Sequence, residues 1–487
     1  MKFKYKPLGN ITSLFRGARF IKLLVIFIVS CALFISSGKT LRASSNLTVN
    51  VNQVLSDVSN HPVGLNVSFL ADTPEMTSPL ADIQAKTLRF TTNEYYLFNH
   101  NDPLNPKVSI QDPELWQVKS FAKSDGTWYS KLNFDDFIAT CQSIGAEPFV
   151  VVPIDAIVYS GNAPHATPEE VLQGAVEWVR YANITNKYNV KYWEIGNESN
   201  LQTHSKIYWT PEKYAETVVK FSQAMKAVDP SIKIGANGMR VTNSKDWWDQ
   251  IMPTIKNNVD FLITHQYSWL DNYENWKNDI YEYDYNIKDA NKAINDYNPT
   301  LRLNVTENSS FNPGVHHENN IWKMLHNFEI IGQTLCFETV DYVHFWTSRW
   351  LEKDSYQEDF SSFDCNYQKT PMGYPLKVWG LYLKKKMVYA SKSDPIRSWA
   401  TYDPDDKSLN LLILNKDRNT QHVTVTLDNY DNPNLHRAWT LLGNDPESKK
   451  VIISKYGGVK VQNSQVNAGL KPLSITIIAL KNSIFAD

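Results

Sequence analysis

The sequence predicts a (β/α)8 TIM barrel followed by an antiparallel β-sandwich. Between residues 62 and 391, short β-branched or aromatic runs alternate with longer stretches whose apolar residues recur at three and four, the pattern of parallel strands covered by helices. From 392 to 487 the strand-like runs follow one another without helical intervals, as in a sandwich. Ahead of the barrel, Asn46-Leu-Thr-Val-Asn-Val-Asn52 alternates as one strand. A lone strand is unstable in water, so residues 44–61 are expected to join the sandwich.

Residues 1–43 hold eight basic residues (Lys2, Lys4, Lys6, Arg16, Arg19, Lys22, Lys39 and Arg42) and no acid. The apolar run Leu23–Ile35 follows the basic region, the pattern of a secretory signal, and it is shorter than the roughly 18 residues of a spanning helix. Leu41-Arg42-Ala43 supplies a small-residue exit. Cleavage after Ala43 is the expectation, with an uncleaved signal anchor as the alternative. The protein is thus expected to be secreted, periplasmic or on the cell surface, attached to the membrane if the leader stays.

The eight runs of the barrel are Val63–Phe69, Lys86–Thr91, Glu147–Pro153, Val190–Gly196, Ile232–Ala236, Asp260–Tyr267, Leu301–Glu307 and Asp341–Thr347. Helix starts are legible between them. Thr167-Pro168-Glu169-Glu170 places a capping Thr before Pro at the first helical position and Glu at the third. Thr210-Pro211-Glu212 repeats that start, and Val171–Tyr188 and Tyr214–Val228 carry the helical spacing. In the sandwich the expected strands are Leu409–Leu414, His422–Leu427, Val451–Ile453 and Ser474–Leu480.

With 42% apolar and 21% charged residues in 487, the composition is that of a folded, enzyme-sized protein and excludes a disordered one. Beyond the leader, 41 basic residues face 51 acidic ones, so a polyanion such as nucleic acid is not the expected partner. Cys141, Cys336 and Cys365 remain after Ala43 and include no CxxC pair, which excludes a disulfide scaffold and a zinc site. His316-His317-Glu318 lacks the i, i+4 histidine spacing that puts two ligands on one helical face.

A barrel of this kind carries its active site at the C-terminal ends of its strands. Run four ends Trp193-Glu-Ile-Gly-Asn-Glu198 and run seven ends Thr306-Glu307, so two carboxylates face each other across the mouth. Glycoside hydrolysis needs such a pair, one to protonate the leaving oxygen and one to attack the anomeric carbon. Glu194, four residues earlier, lies deeper in its strand, where a buried ion pair is the expectation.

These motifs resemble the retaining glycoside hydrolases of clan A, most closely the α-L-arabinofuranosidases of glycoside hydrolase family 51. The resemblance implies that Glu198 is the acid/base, that Asn197 holds the sugar 2-hydroxyl and that Glu307 is the nucleophile. His265-Gln-Tyr267 is similar to the family's His-x-Tyr, whose Tyr hydrogen-bonds the nucleophile. Run two ends Leu88-Arg-Phe-Thr-Thr-Asn93, where the family usually has Pro-Gly-Gly after Arg-Phe or Arg-Tyr; Arg89 and Asn93 join Asn197, His265 and Tyr267 as expected substrate-binding residues. Trp346 after run eight is expected to stack on the reacting sugar. Tyr95-Tyr96, Trp247-Trp248 and Trp269 sit near loops where more distant subsites would lie.

The mechanism demands different proton affinities of the two glutamates. Glu307 is expected to stay ionised beside Tyr267 and Arg89 and, by repulsion, to raise Glu198. The expectation is an α-L-arabinofuranosidase acting on a plant-type or microbial polysaccharide, with an endo-glycanase or β-xylosidase as alternatives of the same chemistry. A non-catalytic surface carbohydrate-binding protein is the alternative of another class. No metal or organic cofactor is implied, because the two carboxyl groups complete the reaction.

Overall fold

The computed structural model describes residues 44–68, 72–91, 96–99, 107–108, 132–158, 166–201, 209–239, 246–279, 283–310, 319–349, 360–431 and 433–482. The leader, Asn93, the Tyr95-Tyr96 side chains and His316-His317-Glu318 lie outside them. Among the described residues no helix is long and apolar enough to cross a membrane.

Eight strands close a parallel barrel in chain order: β2 Val63–Ser68, β3 Thr87–Thr91, β4 Glu147–Val152, β5 Tyr192–Ile195, β6 Lys233–Asn237, β7 Phe261–Ser268, β8 Arg302–Ser310 and β9 Val340–Phe345. Each coincides with one expected run. Helices follow the strands: α1 Thr77–Asp82, α2 Phe134–Ile144, α3 Pro168–Val179, α4 Pro211–Val228, α5 Trp247–Ile255, α6 Tyr273–Asn278, α7 Tyr285–Tyr297, α8 Ile321–Thr334 and α9 Gly373–Tyr382. Thr167 caps α3 in a capping box with Glu170, and the Thr210 side chain accepts the Lys213 N–H at the start of α4. Both caps satisfy helix donors that would otherwise lack partners.

Apart from a two-stranded ribbon of Tyr96–Leu97 with Lys107–Val108, the other described strands build one ten-stranded sheet. They are β1 Ser45–Asp57, β10 Lys386–Ala390, β11 Ile396–Asp403, β12 Ser408–Asn415, β13 Gln421–Asp428, β14 Pro433–Leu442, β15 Ile452–Lys455, β16 Val459–Gln462, β17 Gln465–Leu470 and β18 Ser474–Asn482. Their order is β15-β14-β18-β12-β11-β10-β1-β13-β17-β16. The N-terminal strand therefore joins the C-terminal module as expected, antiparallel to β10 and parallel to β13. Val423, Val425 and Val466 from one arm share a core with Leu409, Ile413 and Ile478 from the other, so the sheet curls over itself as a sandwich.

Helix α8 lies where barrel and sheet meet, and all of its residues are buried. Its apolar positions therefore show no single stripe. Glu329 on this helix accepts from Trp276 Nε1 at 2.8 Å, from Arg397 Nε at 3.1 Å and lies 3.4 Å from Lys416 Nζ. The buried carboxylate thus joins α6 and α8 of the barrel to β11 and the end of β12.

Candidate active site

Alternation along each barrel strand decides what faces the interior. On β3, Leu88 and Phe90 pack outward into the helical layer, leaving Thr87, Arg89 and Thr91 inward. On β5, Trp193 and Ile195 pack outward and Glu194 inward. The lower barrel is filled by aromatic rings: Phe149 stacks on Tyr192 with centroids 4.4 Å apart and meets Tyr342 edge-on at 4.9 Å. Above them His344 Nε2 lies 2.7 Å from Thr87 Oγ1. Burial pushes His344 well below its ordinary value and Arg89 adds to that, so its ring is neutral.

Arg89 forms the next layer and is fully buried. Its Nε and Nη2 donate to the two oxygens of Glu194, each at 2.8 Å, while Nη1 donates to Asn66 Oδ1 and Glu307 Oε1 at 2.8 Å and Nη2 also to Asn197 Oδ1 at 2.7 Å. A guanidinium without water survives here because two carboxylates and two amide oxygens replace its hydration.

Glu307 reaches the mouth through a bulge. Val305 pairs with Thr264, but the next pair along β8 and β7 is Glu307 with His265, so two residues of β8 oppose one of β7. Strict alternation would turn Thr306 and Glu307 to opposite faces; the bulge lets both face inward. Thr306 Oγ1 lies 3.2 Å from His265 Nε2, and the second oxygen of Glu307 accepts from Tyr267 Oη at 2.5 Å. His265 Nδ1 stands 3.4 Å from that oxygen and 2.9 Å from Glu198 Oε1.

Glu198 follows β5 in a left-handed turn, with φ of +50° at Glu198 and +79° at Gly196. A side chain at Gly196 would press to 2.4 Å from Ser199 Oγ, so the tight turn requires glycine. Buried Asp155, in the 3-10 turn Ile154–Ile157 after β4, accepts the Asn197 N–H at 2.7 Å and the hydroxyl of Ser199 at 2.8 Å.

Burial pushes the Glu307 carboxyl above its ordinary value and repulsion from Glu198 adds to this, against the pull of His265, Arg89 and Tyr267. Arg89 and Tyr267 pull toward the charged form, as expected, while desolvation sets the net upward direction. His265 is raised: burial lowers it, but the charges of Glu307 and Glu198 win. Tyr267 is pushed far up by burial and by the same two carboxylates, so its hydroxyl keeps its proton and donates.

Arg89, Asn197, Glu198, His265, Tyr267 and Glu307 thus stand in one connected cluster. Trp346 is half-buried after β9, and its backbone N–H donates to the carbonyl of Asn308, the residue after Glu307, at 3.0 Å. Trp269 is exposed beside the mouth, but Trp247 and Trp248 are buried in the first turn of α5 and line no subsite. Their indoles fill the space above Gly238, because the apolar face of α5 turns to the barrel. Sequence reasoning missed Asn66 and Asp155. Asp155 lies just past the end of β4, the signal by which the glutamates were found, whereas Asn66 lies inside β2 and shows only as a buried polar residue facing the barrel interior.

One oxygen each of Glu198 and Glu307 and a nitrogen of His265 lie within 4.8 Å of one another, the one grouping among the described residues with the donors to hold a metal ion. Arg89 already brings positive charge to Glu307, which disfavours a cation there. Cys141, Cys336 and Cys365 are free thiols.

Residues 111–277 match the family described as the alpha-L-arabinofuranosidase 1 domain, a span that holds Asn197, Glu198, His265 and Tyr267 but neither Arg89 nor Glu307. The chain is 28% identical over 138 residues to a probable alpha-L-arabinofuranosidase C of Aspergillus fumigatus and 29% identical over 140 residues to alpha-L-arabinofuranosidase C of Emericella nidulans. In each case the match covers 25% of this chain and 25% of the relative, so the chain spans about a quarter of the length of the curated relatives it matches. Its fold is similar to the alpha-L-arabinofuranosidase of Thermotoga maritima, with TM-score 0.70, 15% identity, and 90% of this chain and 100% of that one covered. A family 44 xyloglucanase of Paenibacillus polymyxa gives TM-score 0.65 at 16% identity over 90% of this chain and 100% of that one. In sequence motifs and fold, the chain resembles the family 51 glycoside hydrolases of clan A.

Proposed function

We propose that this chain is a retaining glycoside hydrolase that releases arabinofuranosyl units from plant-type or microbial polysaccharide. The observation that carries the reading is the closeness of Glu198 and Glu307, whose nearest oxygens lie within 4.8 Å. Retaining pairs stand about 5–5.5 Å apart, whereas inverting pairs stand about 6.5–9.5 Å apart to admit a water. The description of the family matched over residues 111–277 and the names of the curated relatives support arabinose as the sugar.

In the first step a Glu307 oxygen bonds to the anomeric carbon while protonated Glu198 gives its proton to the departing glycosidic oxygen. The aglycone leaves as an alcohol and the sugar becomes an ester of Glu307. Repulsion between the two carboxyl groups is then gone, and Glu198 takes a proton from water whose oxygen attacks the same carbon. Glu307 leaves as a carboxylate, and two inversions give net retention. Arg89 and Tyr267 each bind one Glu307 oxygen, and these preorganised bonds stabilise the carboxylate as it leaves. Asn197, His265 and Trp346 contact the sugar in this scheme.

The test is hydrolysis of aryl α-L-arabinofuranoside, β-D-xyloside, β-D-glucoside and β-D-galactoside by the purified protein and by Glu198→Ala and Glu307→Ala. The reading expects arabinofuranoside cleavage, lost in both variants, with azide giving products of opposite anomeric configuration in the two. Cleavage of another aryl sugar alone would remove arabinose and keep the chemistry. Silence on all four, and on arabinan, xylan and β-glucan, would favour a carbohydrate-binding protein. Export through the leader belongs to the same proposal, and N-terminal sequencing of the mature protein that found residue 1 intact would remove cleavage from it.

A further inference from the structure

The acid/base glutamate of the proposed reaction sits in a backbone conformation that a residue with a side chain adopts at a cost. Glu198 has φ of +50°, a state that persists only where its surroundings over-determine it. Those surroundings converge on one carboxylate. Asp155 is fully buried and accepts three donors: the Asn197 N–H at 2.7 Å on one oxygen, and the Ser199 hydroxyl and Trp209 Nε1, each at 2.8 Å, on the other. Asn197 and Ser199 are the residues on either side of Glu198. The Ser199 N–H is held in turn by Asn237 Oδ1 at 2.9 Å, and Asn237 Nδ2 donates to the carbonyl of Ile195 at 2.8 Å, closing the frame onto β5. From the other side, Asn197 Oδ1 is fixed by Arg89 at 2.7 Å.

We propose that Asp155 is the positioning residue of the Glu198 turn: by accepting from Asn197 and Ser199 at once, its carboxylate fixes the left-handed backbone that aims Glu198 into the barrel mouth, 2.9 Å from His265. The inference rests on the reading of Glu198 as acid/base. Asp155 itself touches neither the sugar nor the reacting atoms in this scheme; it acts through the chain on both sides of Glu198. Burial pushes its carboxyl up to about 6 against the pull of the Asn197, Ser199 and Trp209 donors, with Glu194 adding to the rise, so at neutral pH it is ionised and accepts all three. An amide in its place has the same shape but only one acceptor oxygen. Its NH2 group would then meet a donor, either the Asn197 N–H or the Ser199 and Trp209 pair.

The test compares wild type, Asp155→Asn and Ser199→Ala on a series of aryl glycosides of the sugar that wild type cleaves, running from 2,4-dinitrophenyl to phenyl. A good leaving group departs without a proton, whereas a poor one needs the acid, whose contribution is about 10²–10⁴-fold. Asp155→Asn is expected to lose about tenfold or more in kcat/KM, which reports the first, acid-assisted step, on the phenyl glycoside and to change little in kcat/KM on the dinitrophenyl one. Ser199→Ala, which removes one donor and leaves the Asn197 bond, is expected to fall between. Equal losses across the series would mean a general structural role and would overturn the proposal, as would no loss.

A crystal structure of Asp155→Asn gives a readout that needs no activity. The expected result is a Glu198 that leaves its left-handed conformation and separates from His265; an unchanged turn overturns the proposal. If wild type is silent on every glycoside and the variant still displaces Glu198, the glycosidase reading fails and the positioning role stands.

Discussion

Arg89 and Glu194 form a two-pronged ion pair at the centre of the barrel, each bond 2.8 Å long and both side chains without solvent contact. The same guanidinium continues to Glu307, so a purely structural pair and the proposed nucleophile share one cation. Glu194 lies on β5, which leads to the proposed acid/base Glu198, and both of its oxygens are taken up by Arg89, which leaves it out of the proposed chemistry.

That sharing predicts an outcome for Arg89→Met. The substitution leaves two buried carboxylates without their cation, and breaking a buried pair costs about 3–5 kcal/mol. Calorimetry of the variant should show a Tm many degrees below wild type. If Met is tolerated with a loss under about 1 kcal/mol, water reaches this layer and the pair is of the weak, solvated kind.

Tyr267→Phe removes one hydroxyl from the Glu307 oxygen and little else. Tyr267 lowers the proton affinity of Glu307, which burial has already raised, so its removal raises Glu307 further. The nucleophile must be ionised to attack. The acidic limb of the kcat/KM profile should therefore move to higher pH, and kcat should fall by roughly tenfold for the lost charge-assisted bond. A limb that stays in place would mean that it reports another group.

His265 makes a prediction about stability rather than rate. Burial lowers its proton affinity, but Glu307 and Glu198 raise it to a net position above the ordinary histidine range. A group raised on folding contributes stability that is fully present below its unfolded value and lost as pH rises through its folded one. The Tm difference between wild type and His265→Asn should therefore be larger at pH 6 than at pH 9. A gap that grows with pH would mean that the ring is neutral between its two carboxylates.

The barrel was legible because its strands announce themselves twice, by outward residues such as Trp193 and Ile195 and by polar residues at their ends. The glutamates followed from strand ends alone. What stayed hidden depends on register and on neighbours distant in sequence. No local pattern shows that β8 bulges at Thr306 and Glu307, and alternation alone would have sent one of them outward. Asp155 lies 42 residues from the backbone N–H it accepts, and only the adjacency of β4 and β5 brings them together. Trp247 and Trp248 were misjudged because an aromatic pair at a helix start reads the same whether the helix turns its face to solvent or to the barrel. Lys386–Ala390 was missed as a strand because it lies before residue 392, where the sandwich was expected to begin, and its pairing with β1 across more than 300 positions is a tertiary fact.

The contact between barrel and sheet should be as sensitive as the active site, although no chemistry is done there. Glu329 is 1% exposed and serves Trp276, Arg397 and Lys416, with Lys416 Nζ also 4.6 Å from the Trp276 ring centroid. Burial drives Lys416 below its ordinary value, and Glu329 opposes the fall. Glu329→Gln keeps the volume and removes the charge, leaving buried Lys416 without its carboxylate and Arg397 with Asp394 alone, at a cost of about 3–5 kcal/mol. Adding Lys416→Met should recover part of that loss, because the double variant no longer buries the lysine charge beside a neutral amide. A double-mutant cycle by chemical denaturation measures it, and strict additivity of the two substitutions would show that Lys416 and Glu329 are not coupled.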